Sequence, residues 1–150
     1  MYLIDTDVIS ELRKKDKADV GVRSFFDKLS DDDAPAFLSV VTVGELRRGV
    51  ELIRHRGDLQ QARKLENWLH KLLAEYAEHI LPLDVDSAQV WGRLRVPHPE
   101  NALDKQIAGT ALTHGLAVVT RNQRHYVGTG VTVVNPFSSN TAPYDAQTQG

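Results

Sequence analysis

Apolar residues along the chain fall into short runs separated by longer stretches with helical spacing. Runs of the kind that form buried strands occur at Tyr2–Ile4, Phe37–Val40, Ile80–Leu83, Ala117–Val119 and Val131–Val134. Between most of them, apolar residues recur three and four positions apart, the step that lines one face of an α-helix. The stripe is clearest from Leu59 to Ala77, through Leu59, Ala62, Leu65, Trp68, Leu69, Leu72, Leu73 and Tyr76; Leu103, Ile107, Ala108, Ala111 and Leu112 form a second. Strands alternating with helices predict an α/β fold, a single three-layer domain with a central parallel sheet flanked by helices. Trp68, and Trp91 beside Val90 and Leu94, are expected in its core rather than on a binding face.

Composition narrows this picture. The 150 residues, 41% hydrophobic, are enough for one domain and too few for two of ordinary size. We place that domain at residues 1–137, because SSNTAPYDAQTQG, from Ser138 to the end, is too polar to offset the entropy of ordering it and reads as a loose tail. Val96-Pro97-His98-Pro99 reads as an extended connection into a helix beginning near Asn101. With no cysteine, disulfides, thiolate metal sites and thiol nucleophiles are excluded. No apolar run approaches the roughly 18 residues of a membrane helix, so a cytoplasmic protein without membrane contact is the expectation.

Eighteen basic and twenty acidic residues give a net charge of −2, so any contact with nucleic acid has to be local. The segment Arg47–Lys71 carries seven Arg or Lys against Glu51, Asp58 and Glu66. Three readings fit it: a strip along RNA phosphates, a solvated face with i,i+4 pairs, or a partner surface. Arg47, Arg48 and Arg121 are the candidate contacts to RNA or a protein partner.

Three acids sit at the end of an apolar run or in the first turn of an expected helix: Asp5 in LIDTD, Glu45 in SVVTVGEL and Asp104 in NALDKQIA. In a parallel α/β sheet these positions face one crevice at the carboxyl ends of the strands. Each has an ordinary explanation as well. Thr42 to Glu45 fits a capping box, Asn101 to Asp104 has similar spacing, Asp7 suits the cap of the first helix, and first-turn acids favour the helix dipole. Asp5 resists that explanation, because an acid closing a buried strand is costly to desolvate unless something positive meets it. Three converging carboxylates would repel one another, and a hard cation such as Mg²⁺ or Mn²⁺ would relieve the repulsion.

LIDTDVISEL, LSVVTVGELRRGVELI, NALDKQIAGTAL, LAVVTRNQRHY and TGVTVVNPF, in this order and at these separations, resemble the PIN-domain family, in particular the VapC and FitB-like toxins of bacterial toxin–antitoxin modules. The resemblance spans about residues 1–137. It implies the PIN arrangement, a Mg²⁺- or Mn²⁺-dependent endoribonuclease acting as a toxin, a cognate antitoxin that plugs the acidic crevice, and a homodimer. Its metal-site acids fall on Asp5, Glu45 and Asp104, with Thr6 and Thr120 fixing the backbone around them.

A departure occurs at the fourth site. Where relatives resembling TRNxxDF carry an acid, this chain has His125 in TRNQRHY, which leaves Asn122 and His125 as possible further contacts. His55, His70, His79, His98 and His114 lack ligand spacing. Val8, Ile9, Leu12, Leu46 and Val50 could face a partner, although burial in the domain is the simpler reading. Two other functions fit parts of the pattern. A haloacid-dehalogenase-like phosphatase would use Asp5 as nucleophile and Asp7 as general acid but leaves Glu45 without a role; a PIN module weakened at position 125 would only bind.

Overall fold

The computed structural model describes residues 1–138. Five parallel strands form the sheet: β1 (Tyr2–Ile4), β2 (Ala36–Ser39), β3 (Ile80–Leu81), β4 (Ala117–Val119) and β5 (Val133–Val134), ordered β3-β2-β1-β4-β5. Leu3 of β1 stands opposite Phe37 of β2 and Val118 of β4. The helices are α1 (Thr6–Glu11), α2 (Val20–Asp31), α3 (Val40–His55), α4 (Leu59–Glu75), α5 (Val85–Leu94) and α6 (Ala102–His114). Two 3₁₀ segments, Leu12–Lys17 and Gln123–Tyr126, follow α1 and β4.

Strand alternation builds two cores. On one face Ile4, Leu38 and Val119 pack with Val8 of α1, Val22 of α2, Leu46 and Val50 of α3 and Leu69 and Leu72 of α4. On the other face Leu3 and Val118 pack with Ile107, Ala108 and Ala111 of α6, and with Tyr126. The sheet is the middle of three layers, which matches the expected fold class. Val8, Ile9, Leu46 and Val50 are buried and Leu12 packs against the core, so these five serve the fold's interior.

The edges differ from the sequence reading in instructive ways. β3 stops at Leu81 because Pro82 has no N–H to give the ladder. Val40 belongs to α3, since Ser39 caps that helix by accepting the Val41 N–H at 3.0 Å. Thr42 is therefore inside the helix rather than at its cap. Gly115 ends α6 in the left-handed conformation (φ 68°), where a side chain would be strained. Of the expected tail, Ser138 is tied down, its N–H and Oγ donating to Asp19 at 2.9 and 2.6 Å; the rest lies outside the described residues. Among the described residues no helix is long and apolar enough to cross a membrane.

Candidate active site

The strand order reverses at β1, so β1 and β4 lead their helices and loops to a crevice at their carboxyl ends. A cavity of about 540 Å³ opens there, and its lining includes four carboxylates, Asp5, Asp7, Glu45 and Asp104, with Asn122 at its rim. They come from the end of β1, the first turn of α1, the second turn of α3 and the first turn of α6.

Asp5 is the deepest, 3% exposed. Its Oδ1 accepts the Thr6 N–H at 2.7 Å, which makes Asp5 rather than Asp7 the cap of α1. Its Oδ2 accepts the hydroxyls of Thr120 at 2.9 Å and of Tyr126 at 3.0 Å. Burial first, then the charges of Asp7 and Asp104, push the Asp5 carboxyl up to about 6, and the Thr6 and Thr120 hydrogen bonds only partly counter them. Asp7 is raised as well, chiefly by burial, although Oδ2 accepts the Arg121 N–H at 2.8 Å. A carboxyl that holds its proton this firmly, among like charges, is a group whose ionised form lacks a positive partner.

Asp104 reaches the same cavity from α6. The cap of α6, Asn101, has a left-handed backbone (φ 55°) and makes no side-chain bond, so the amides of the first turn remain available to favour the Asp104 charge. Asp104 Oδ2 meets His125 Nδ1 at 2.6 Å. Position 125 is therefore attached to the crevice through Asp104. Asn122 is fixed beside it, its N–H donating to Thr120 Oγ1 at 3.0 Å. Thr6 donates to Thr42 Oγ1 at 3.1 Å, joining the starts of α1 and α3, the helix that brings Glu45 to the cavity.

The three candidate basic contacts separate. Arg47 is engaged by Glu66 at 2.7 Å, Arg48 is exposed on α3, and Arg121 lies over the Phe137 ring, 3.6 Å from its centroid. Trp91 donates its indole N–H to the Ala102 carbonyl at 3.0 Å and Trp68 is half-buried against the core, so both pack as expected. Tyr126 has no role in the sequence reading, and Asp7, read there as a helix cap or a phosphatase's general acid, instead lines the crevice. Asp7 carried a signal, an acid two residues after Asp5; Tyr126 carried none, because its contact joins positions 121 residues apart.

An all-oxygen donor set of converging carboxylates suits a hard divalent cation, which would offset the burial and like charges that raise Asp5. Among the described residues no three acidic or histidine side chains are already drawn into a ligand cage. The reason is visible in the hydrogen bonds: Asp5, Asp7 and Asp104 each have an oxygen turned toward Thr120, the Arg121 amide or His125.

Residues 2–128 match the profile of the PIN domain. Toxin FitB of Neisseria gonorrhoeae is 34% identical over 147 residues, spanning 91% of this chain and 99% of that protein. VapC ribonuclease Y4jK of Sinorhizobium fredii is 30% identical over 145 residues, spanning 91% and 98%. Among solved structures, FitAB bound to an IR36 DNA fragment superimposes with a TM-score of 0.76 at 32% identity, covering 91% of this chain and 95% of that one.

Proposed function

Because the chain belongs to the PIN-domain family, we propose that it is a metal-dependent endoribonuclease serving as the toxin of a bacterial toxin–antitoxin module. The observation that carries this reading is the meeting of Asp5, Glu45 and Asp104, from three distant segments, on one cavity at the strand ends.

Asp5 and Asp104 are the principal ligands of Mg²⁺ or Mn²⁺ in this reading, and Glu45 binds directly or through water. When bound, the cation supplies Lewis-acid activation of water and neutralises charge on the phosphate. Glu45, half-exposed across the crevice, orients the attacking water and accepts its proton. The water oxygen bonds to phosphorus as the bond to the leaving oxygen breaks, and that oxygen takes up a proton from solvent. Thr6 and Thr120 hold the acids in place, and Asn122 and His125 stand at the fourth position. The working unit is residues 1–137, as a homodimer held in check by an antitoxin. FitAB, bound to DNA in the superimposed structure, is the kind of complex this chain would form.

The phosphatase alternative gives way to family membership, and Glu45 in the cavity lining has the place that alternative denied it. The test is cleavage of single-stranded RNA by the purified protein with Mn²⁺, beside Asp5→Asn, Glu45→Gln and Asp104→Asn. Cleavage by wild type, abolished by a chelator and by each substitution in proteins that remain folded, supports the assignment. Full activity of Glu45→Gln with a dead Asp7→Asn would overturn it.

A further inference from the structure

The structure assembles a second concavity that the sequence reading did not connect. Arg13, Lys14 and Lys15, on the 3₁₀ segment after α1, face Lys64 and Lys71 of α4 across a groove of about 660 Å³ whose lining also includes Trp68 and no acid. These cations lie about fifty residues apart in sequence and join only in the fold.

We propose that this groove binds the phosphate backbone of single-stranded RNA and is the track along which substrate reaches the acidic crevice, an inference that rests on the ribonuclease reading. An ordinary solvated face mixes signs, and the neighbouring face of α4 shows what that looks like. There Glu66 takes Arg47 at 2.7 Å and Arg54 at 3.1 Å. On the groove side, Lys14 alone among the five cations has an ion-pair partner among the described residues, Glu11 at 2.8 Å. Like charges gathered around a concavity repel one another unless an anion joins them. Lys15 adds a second sign, since its backbone is in a left-handed, non-helical conformation (φ 54°, ψ −121°) that a β-carbon disfavours. Trp68, half-buried against the core, lines the groove among the cations with only the part of its ring that packing leaves accessible.

Position favours RNA as well. α3 and α4 are consecutive helices held together by Glu66, which takes both Arg47 and Arg54 of α3, so the α4 wall of the groove runs beside the helix that carries Glu45. From the other side, α1, capped by Asp5, runs six residues from Thr6, about 9 Å, to the segment bearing Arg13. Both walls of the groove thus lead back to elements that carry the acids. A chain of net charge −2 with an acidic crevice has to hold RNA by local cations, and these are placed to do so.

Binding of a fluorescein-labelled single-stranded oligoribonucleotide, measured by anisotropy in EDTA, tests the groove apart from catalysis. Lys64→Glu with Lys71→Glu should weaken binding at least about tenfold. The milder Lys64→Gln with Lys71→Gln pair should reduce the slope of log K against log salt by about 1.4, or about 0.7 for each lost phosphate contact. Lys28→Glu with Arg93→Glu changes net charge equally at exposed sites outside the groove and should stay near wild type. Asp104→Asn should bind RNA normally while failing to cleave it, so a dead nuclease and an empty groove give different results. Equal losses in the groove and control pairs, or binding of an oligoglutamate peptide but not RNA, would overturn the proposal.

Discussion

The acidic crevice and the basic groove are built on opposite principles. In the crevice, carboxylates are pinned by protein donors; Asp5 alone accepts three hydrogen bonds, two of them from side chains that arrive from the end of β4 and beyond. Asp5 is buried and Asp7 and Asp104 only partly exposed, so their mutual repulsion is less screened than in water. In the groove the cations stand on long exposed side chains, screened by water and salt over about 8–10 Å. A pinned, desolvated site suits one small ion at fixed geometry. A flexible, solvated one suits a polymer of changing sequence.

Perturbing the crevice should therefore produce the larger effects. Asp104→Asn, which keeps the shape and removes a charge, should lower cleavage by more than the roughly 10–100-fold typical of losing a residue behind a metal ligand. A fold loss below that range would show that Asp104 is not a principal ligand.

Next comes pH. Because Asp5 holds its proton up to about 6 in the folded, metal-free protein against 3.8 ordinarily, the folded state binds more protons than the unfolded state between those values. Stability of the metal-free protein should accordingly fall as pH rises through that window, by about 3 kcal/mol at 1.36 kcal/mol per pH unit. Urea unfolding at pH 4 and pH 7 in EDTA checks the direction, and Asp5→Asn should reduce the difference, with Asp7 contributing in the same direction. Mn²⁺ should restore stability at the upper pH.

Tyr126→Phe removes one donor to Asp5 and keeps the buried ring. We expect Mn²⁺ affinity to fall by roughly 10–100-fold, while Leu116→Ala, in the same core but away from the carboxylates, should lower the melting temperature without moving affinity. Smallest of all should be a change on the other side of the comparison. Glu66→Gln frees Arg47 from its nearest partner while Arg54 stays on Glu51, leaves Mn²⁺ binding unchanged, and should steepen the salt dependence of RNA binding by no more than about 0.7 for the new contact.

The layered fold was legible because period alone separates strands from helices: Leu3 and Ile4 alternate between two cores, and the stripe from Leu59 runs along one side of α4. The burial of Asp5 was legible for a related reason, as the acid closes a buried strand, but its capping of α1 was not, since Asp7 suited that position by type. Single-residue roles near helix starts were harder. Asp7 fits a cap by type, but the backbone at Asp5 is extended and the Thr6 N–H reaches Asp5 first, which leaves Asp7 for the Arg121 amide. The basic segment divides in the fold: Arg47 is taken by Glu66, whereas Lys64 and Lys71 share a groove with Arg13, Lys14 and Lys15, a grouping that no local pattern signals. Periodicity reports what one element buries, while such groupings depend on how two elements meet.

The central claim is that the crevice is a divalent-cation site, and calorimetric titration of wild type and Asp104→Asn with Mn²⁺ tests it most directly. At pH 6, where Asp5 is about half protonated, wild type should bind with release of protons to the buffer, and Asp104→Asn should bind far more weakly. Absence of binding to wild type at millimolar Mn²⁺ with RNA present, or equal binding by the two proteins, would contradict it.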